Sequence, residues 1–207
     1  MIRKLLAATA LSTGLVAAPA AAADPAKPPA PMFGFSTLRT AAPEVAKGKA
    51  ETWLKSVGKF DQSAFNKVWA DESRTILDRT ADSLALGSPE AARILADVRK
   101  FDAPAPAATP AILTDAKSDA FFRTNLALAF AKAAASKKVY EEALEALNGA
   151  TPEVAVDPSA LYFFKAVAEH ATMRKEAATS SIVKLLDDVA DAPDRYKMVA
   201  TLMFFEM

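Results

Sequence analysis

The sequence predicts an all-α fold, and three features of the 207-residue chain carry that prediction. Apolar residues recur three and four positions apart over most of the length after residue 42. Pro, Asp, Ser and Gly fall where those runs begin and end. No segment alternates apolar and polar residues with period two for long enough to argue a sheet, although Glu153 to Val156 has room to be briefly extended. The expected arrangement is helical hairpins packed as a bundle or a short repeat array, behind a disordered N-terminal leader.

Arg3 and Lys4 precede an apolar run from Leu5 to Ala18, and Ala21-Ala22-Ala23 meets Asp24 in the small-x-small pattern that signal peptidase cuts. Residues 1–23 read as a cleaved signal peptide, and the exported chain is expected in the periplasm or outside the cell. The run is rich in Ala, is followed by Pro19 and falls short of the roughly 20 strongly apolar residues of a spanning helix, so no stable membrane anchor is expected after cleavage. Residues 24–42, opening DPAKPPAPM, read as a Pro/Ala-rich flexible leader.

Residues 43–100 form the N-terminal helical region. Ala46, Ala50, Trp53, Leu54 and Val57 make one stripe of a helix opened by Pro43 and stopped by Gly58. Asp61 is placed to cap a longer helix striped by Phe65, Val68, Trp69, Ile76, Leu77, Thr80 and Leu84 and ended by Gly87. Ser88-Pro89-Glu90 supplies an N-cap, a first-position proline and an acid near the positive helix end for a helix over 89–100. Residues 101–117 are a Pro-rich connection, since Pro104, Pro106 and Pro110 each forbid an interior helical position, while Ile112 and Leu113 are available for packing.

Residues 118–207 form the C-terminal hairpin region, expected to share one domain with 43–100. A helix near 118–136 carries Phe122, Leu126, Ala129, Phe130 and Ala133 on one face, and its partner carries Tyr140, Ala143, Leu144 and Leu147 before Asn148-Gly149. Asp157-Pro158 opens the next helix, striped by Leu161, Phe164, Ala168 and Ala171, whose partner holds Ala178, Ile182, Leu185, Leu186 and Val189. Pro193 starts a last helix in which Tyr196, Val199, Leu202 and Met203 share a face, with Asp191 expected as its cap.

A shift of 34 residues maps Phe130 to Phe164, Ala134 to Ala168 and Ala143 to Ala177, which is the tetratricopeptide period. Val139-Tyr140-Glu141-Glu142-Ala143-Leu144 resembles the start of a second tetratricopeptide helix. Lys165 and Ser181 depart from that pattern, which puts the later helices of such a repeat in doubt. Over most of its mature length the chain also resembles a group of uncharacterised exported planctomycete helical proteins. The residues carrying this are 77–82 (LDRTAD), 88–92 (SPEAA), 161–170 (LYFFKAVAEH) and 194–203 (DRYKMVATLM). The resemblance implies continuation past Phe204-Phe205-Glu206-Met207 into a charged helical tail, so a chain cut short at its C-terminus is expected; it implies no activity.

Composition excludes much chemistry. Without Cys there is no disulfide, thiolate metal site or cysteine nucleophile, and the single His170 excludes sites needing two imidazoles. Six isolated glycines make no phosphate loop. Loss of Arg3 and Lys4 leaves 23 basic residues against 25 acidic, a net charge of about −2 and no footprint for nucleic acid. The positions three and four from His170 hold Ala166, Val167, Met173 and Arg174, so no helical ligand pair forms. Asp187, Asp188, Asp191 and Asp194 lack the oxygen donors, Gly and Glu that a calcium loop needs. No catalytic, metal or cofactor residue is therefore assigned. Trp53 and Trp69, within apolar stripes, read as core.

Three functional readings follow. The leading one is a non-enzymatic exported binding or scaffold module acting through protein or peptide contacts, with Phe33, Phe35, Asn125, Tyr162 and His170 as candidate contact residues and a groove lined by the first helix of each hairpin. The second is a periplasmic enzyme using Asp and Glu gathered from several helices. The third is a cell-envelope assembly subunit truncated at its C-terminus.

Overall fold

The computed structural model describes residues 38–100 and 108–207, which contain nine α-helices, one 3-10 turn and no strand. Expectations for the signal peptide, most of the leader, Phe33, Phe35, and Pro104 and Pro106 lie outside the described residues. The helices are α1 (Pro43–Ser56), α2 (Gln62–Ala70), α3 (Ile76–Gly87), α4 (Pro89–Arg99), α5 (Ala120–Ser136), α6 (Tyr140–Ala146), α7 (Pro158–Ala171), α8 (Lys175–Asp187) and α9 (Asp194–Glu206), with the 3-10 turn at Ala111–Leu113.

The architecture is built around α5. Phe122, every residue from Thr124 to Ala131, and Ala134 are buried, because this helix is apolar on all sides and must be covered on all sides. It packs against α3 and α4 from the N-terminal region, and against α6 and α7. Leu113 in the 3-10 turn is also buried against α5, which makes the end of the Pro-rich connection part of the core. Buried apolar residues from both sides of the connection form one cluster.

Helix starts follow the side-chain caps. Asp61 accepts from the Ser63 and Ala64 amides, Ser88 from Ala91, Asp119 from Phe122, and Asp157 from Ala160. The long helix expected from Asp61 to Gly87 is two helices. Asp71 folds the chain by accepting from the amide and hydroxyl of Ser73, and Thr75 then caps α3 at Asp78. Trp69 and Ile76 stand seven positions apart, so the apolar spacing ran unbroken across this polar turn. Asp191 does not cap α9: both its oxygens accept from the Thr40 amide at 3.1 Å. Together with the Leu38–Val189 bridge, this fastens the segment before α1 to the α8–α9 turn.

The α5–α6 and α7–α8 turns are built alike. Each ends its first helix with a non-glycine residue in the left-handed region, Lys138 at φ 62° and Met173 at φ 60°. In each, a later amide reaches back to the same place, Val139 to the Ala134 carbonyl and Arg174 to the Glu169 carbonyl. The structural offset is 35 residues, one more than the apolar spacing suggested. At 35, the buried residues Ala131, Ala134, Ala143, Ala146 and Leu147 align with Ala166, Glu169, Ala178, Ser181 and Ile182, all of them buried too.

A charge network ties the N-terminal helices to α5. Asp82 pairs with Arg74 and Arg99, while Asp78 accepts from Lys132 at 2.7 Å and from the Thr75 hydroxyl at 2.7 Å. Burial alone would raise the Asp78 pKa, but the bonds from Lys132 and Thr75, with the charges of Lys132 and Arg99, outweigh it and hold the carboxyl below the ordinary 3.8.

Candidate functional site

Among the described residues the exposed large apolar side chains are concentrated on the last two helices and the turn before them. Eight of the eleven exposed large apolar residues among those described lie between Met173 and Phe205, five of them on α9. A two-faced helix is the cause. Tyr196, Ala200 and Met203 point inward, while Met198, Val199, Leu202 and Phe205 point outward at 64%, 39%, 58% and 80% exposure. Met198, Leu202 and Phe205 follow the 4-then-3 spacing of a coiled-coil seam. Spacing puts Val199 and Leu202 on one face with Tyr196 and Met203; the structure turns both out.

The inner face is held firmly. Tyr196 stacks on Phe163 with ring centres 4.0 Å apart and an interplanar angle of 9°, and meets Phe164 edge-on at 6.1 Å. Burial, above all, pushes the Tyr196 hydroxyl pKa up, with the Asp157 carboxylate adding to it. At the other end His170 Nε2 stands 3.7 Å from Glu206, and Lys175 Nζ donates to the Met207 carbonyl at 3.0 Å. His170 thus sits where α7 meets the end of α9, beside the outer face.

The remaining candidates do not gather there. Asn125 is wholly buried, donating to the Phe121 and Val154 carbonyls at 2.9 and 3.3 Å and accepting from the Val156 amide at 2.8 Å. It clamps the loop before α7 onto α5, and no part of it is open to a partner. Tyr162 is half-buried, its pKa raised by burial first and then by Asp188 and Glu153, so it faces the α8 end of the fold. Eight helical positions separate it from His170, about 12 Å along the axis.

Of the two first helices expected to line a groove, α5 is covered along most of its length by its neighbours. A groove of about 710 Å³ opens along Val45, Gly48, Thr52 and Trp53 of α1, facing Phe121 at the start of α5 and Val154. The Trp53 ring beside it is packed flat on Phe122, ring centres 4.6 Å apart. A more polar cleft of about 350 Å³ lies between α6 and α7, where Glu169, 5% exposed, accepts from the Ser181 hydroxyl at 2.6 Å near Glu141, Glu145 and Lys165. Arg174 pairs with Glu141 across that cleft. Among the described residues no three His, Asp or Glu side chains converge as metal ligands, and no helix is long and apolar enough to cross a membrane. The chain matches no protein-family model, no curated protein and no solved structure.

Proposed function

We propose that the protein is an exported, non-enzymatic binding or scaffold module, and that the outer face of α9 is its contact surface with another protein. The single observation behind this reading is the row of Met198, Leu202 and Phe205 left in solvent on a helix whose opposite face is tightly packed. A fully exposed aromatic side chain presents roughly 150–250 Å², so the five exposed apolar residues of α9 together present on the order of 500 Å². That is at the upper end of the patches found on monomeric proteins, roughly 300–600 Å², where large patches mark interaction sites. The seam spacing suits an apolar helix as the partner element. Export rests on Arg3, Lys4, the Leu5–Ala18 run and the Ala21-Ala22-Ala23 site.

The chain starting at Asp24 tests this. Light scattering and sedimentation of the purified protein, with mass spectrometry of what it retains from an exported fraction, are compared with Leu202→Glu and Phe205→Glu. Association, with a copy of itself or with a retained protein, is expected to disappear in both variants while helical content is kept. Identical masses and identical retained proteins for wild type and variants would overturn the assignment.

A further inference from the structure

We propose that the pocket around Arg79 binds the carboxylate of a small zwitterionic ligand of the amino-acid class, a site separate from the α9 surface. Arg79 lies on α3 and is 9% exposed, yet its Nε is buried without a partner and its guanidinium makes no ion pair with the described residues. The neighbouring Arg74 and Arg99 show the contrast, since both close on Asp82. An arginine side chain cannot shed its charge by deprotonation, and although Glu44 and Glu72 line the same pocket neither comes within ion-pair distance of it, which leaves a place for a ligand carboxylate.

The side chain is preorganised for that anion. Trp69 Nε1 donates to Ser83 Oγ at 2.8 Å, and Ser83 Oγ donates to the Arg79 carbonyl at 2.8 Å. The indole is fixed, and the guanidinium carbon lies 5.2 Å from the centre of its ring. With Nε sealed from solvent, the edge left for a planar, bidentate partner such as a carboxylate is the one between the two Nη atoms.

The other lining residues choose among anions. The pocket, about 410 Å³, is bounded by Pro43, Glu44, Lys47, Trp69, Glu72 and Arg79. Lys47 adds a second positive charge, while Glu44 and Glu72 disfavour a dianion such as phosphate and offer acceptors to an ammonium group. A ligand carrying one carboxylate and one ammonium uses all four charges; a bare carboxylate uses half.

Glycine, acetate and inorganic phosphate are the probes, read by the NMR signals of Arg79 Nε–H and Trp69 Nε1–H and by the thermal midpoint. Glycine is expected to move both signals and raise the midpoint, with acetate about tenfold weaker and phosphate weaker still. Arg79→Met is expected to abolish the response and to raise the midpoint of the ligand-free protein, because an unpaired buried charge is gone. Arg79→Lys, which keeps charge but loses the fork, is expected to weaken glycine at least about tenfold. Glu72→Gln should narrow the gap between glycine and acetate. No response to glycine or acetate at about 50 mM, in the weak-binding range, overturns the site. So does phosphate binding more tightly than glycine, an unchanged response in Arg79→Met, or a lower ligand-free midpoint in that variant, which would make Arg79 a structural partner of Trp69.

Discussion

Gly87 offers a quantitative test of how α1 and α3 meet. It ends α3 without a left-handed backbone, so conformation does not require glycine there. Space does. A Cβ at Gly87 would lie 2.6 Å from Trp53 Cζ3, 2.8 Å from Leu54 Cδ2 and 3.0 Å from Trp53 Cη2. Leu54 is wholly buried, and the Trp53 ring is backed by Phe122, so neither neighbour can retreat without opening the contact between α1, α3 and α5. Overpacking of this kind costs about 1–3 kcal/mol, and the better helix propensity of alanine returns at most about 1 kcal/mol, less at a helix end. Gly87→Ala should therefore destabilise the protein by about 1–2 kcal/mol, or lower its melting midpoint by roughly 2–8 °C for a domain of this size. Gly48 supplies the control, because it sits exposed within α1 and a Cβ there meets nothing within 4 Å. Gly48→Ala should stabilise by about 0.5–1 kcal/mol. Urea unfolding followed by circular dichroism and tryptophan emission measures both. Two changes of the same sign, or a Gly87→Ala protein as stable as wild type, would refute the packing argument.

Three further outcomes follow from polar groups that are buried or partly buried. The Thr80 and Thr124 hydroxyls are buried without partners, so Thr124→Val should leave stability unchanged or raise it by up to about 2 kcal/mol in urea unfolding, and a loss would mean the hydroxyl is satisfied. Asn125→Ala strands the Val156 amide and two carbonyls, and should cost about 2–4 kcal/mol with faster hydrogen exchange at Val156; wild-type exchange there would contradict the clamp. Asp78, with its pKa held below 3.8, contributes stability that is present above that pH and lost as pH falls through its folded value. The stability gap between wild type and Asp78→Asn should shrink between about pH 5 and pH 3, and a gap constant with pH would show that Asp78 makes no such contribution.

The helical class was legible because the core positions of most helices repeat every three or four residues, and because Asp61, Ser88 and Asp157 cap where a cap residue precedes such a run. Spacing and structure part where two arrangements share one apolar pattern. The turn at Asp71–Thr75 consumes enough residues to leave Trp69 and Ile76 in helical phase, so spacing alone could not expose it. The sequence offset of 34 rests on the pairing of Phe130 with Phe164, Ala134 with Ala168 and Ala143 with Ala177. In space Phe130 is buried in the central helix and Phe164 is partly exposed against Tyr196. A signal for 35 was present in the buried set 143, 146 and 147 against 178, 181 and 182, but two of those pairs differ in polarity or shape.

Neither surface singled out by the structure could be located from residue types alone, for opposite reasons. On α9 apolar residues stand on two faces between four charged ones, and on α5 they run all round the helix, so in neither does apolar spacing alone say which face is covered. The packing tells them apart: α5 meets α3, α4, α6 and α7, whereas the main contacts of α9 among the described residues are with α7 and α8. Arg79 is the reverse case, a charged residue between apolar positions of α3 that reads as an exposed break in a stripe. It lies instead against Trp69, at the end of a helix that the spacing does not separate from α3, and makes no ion pair with the described residues. Both features therefore depend on how many elements surround a helix face, which local periodicity does not encode.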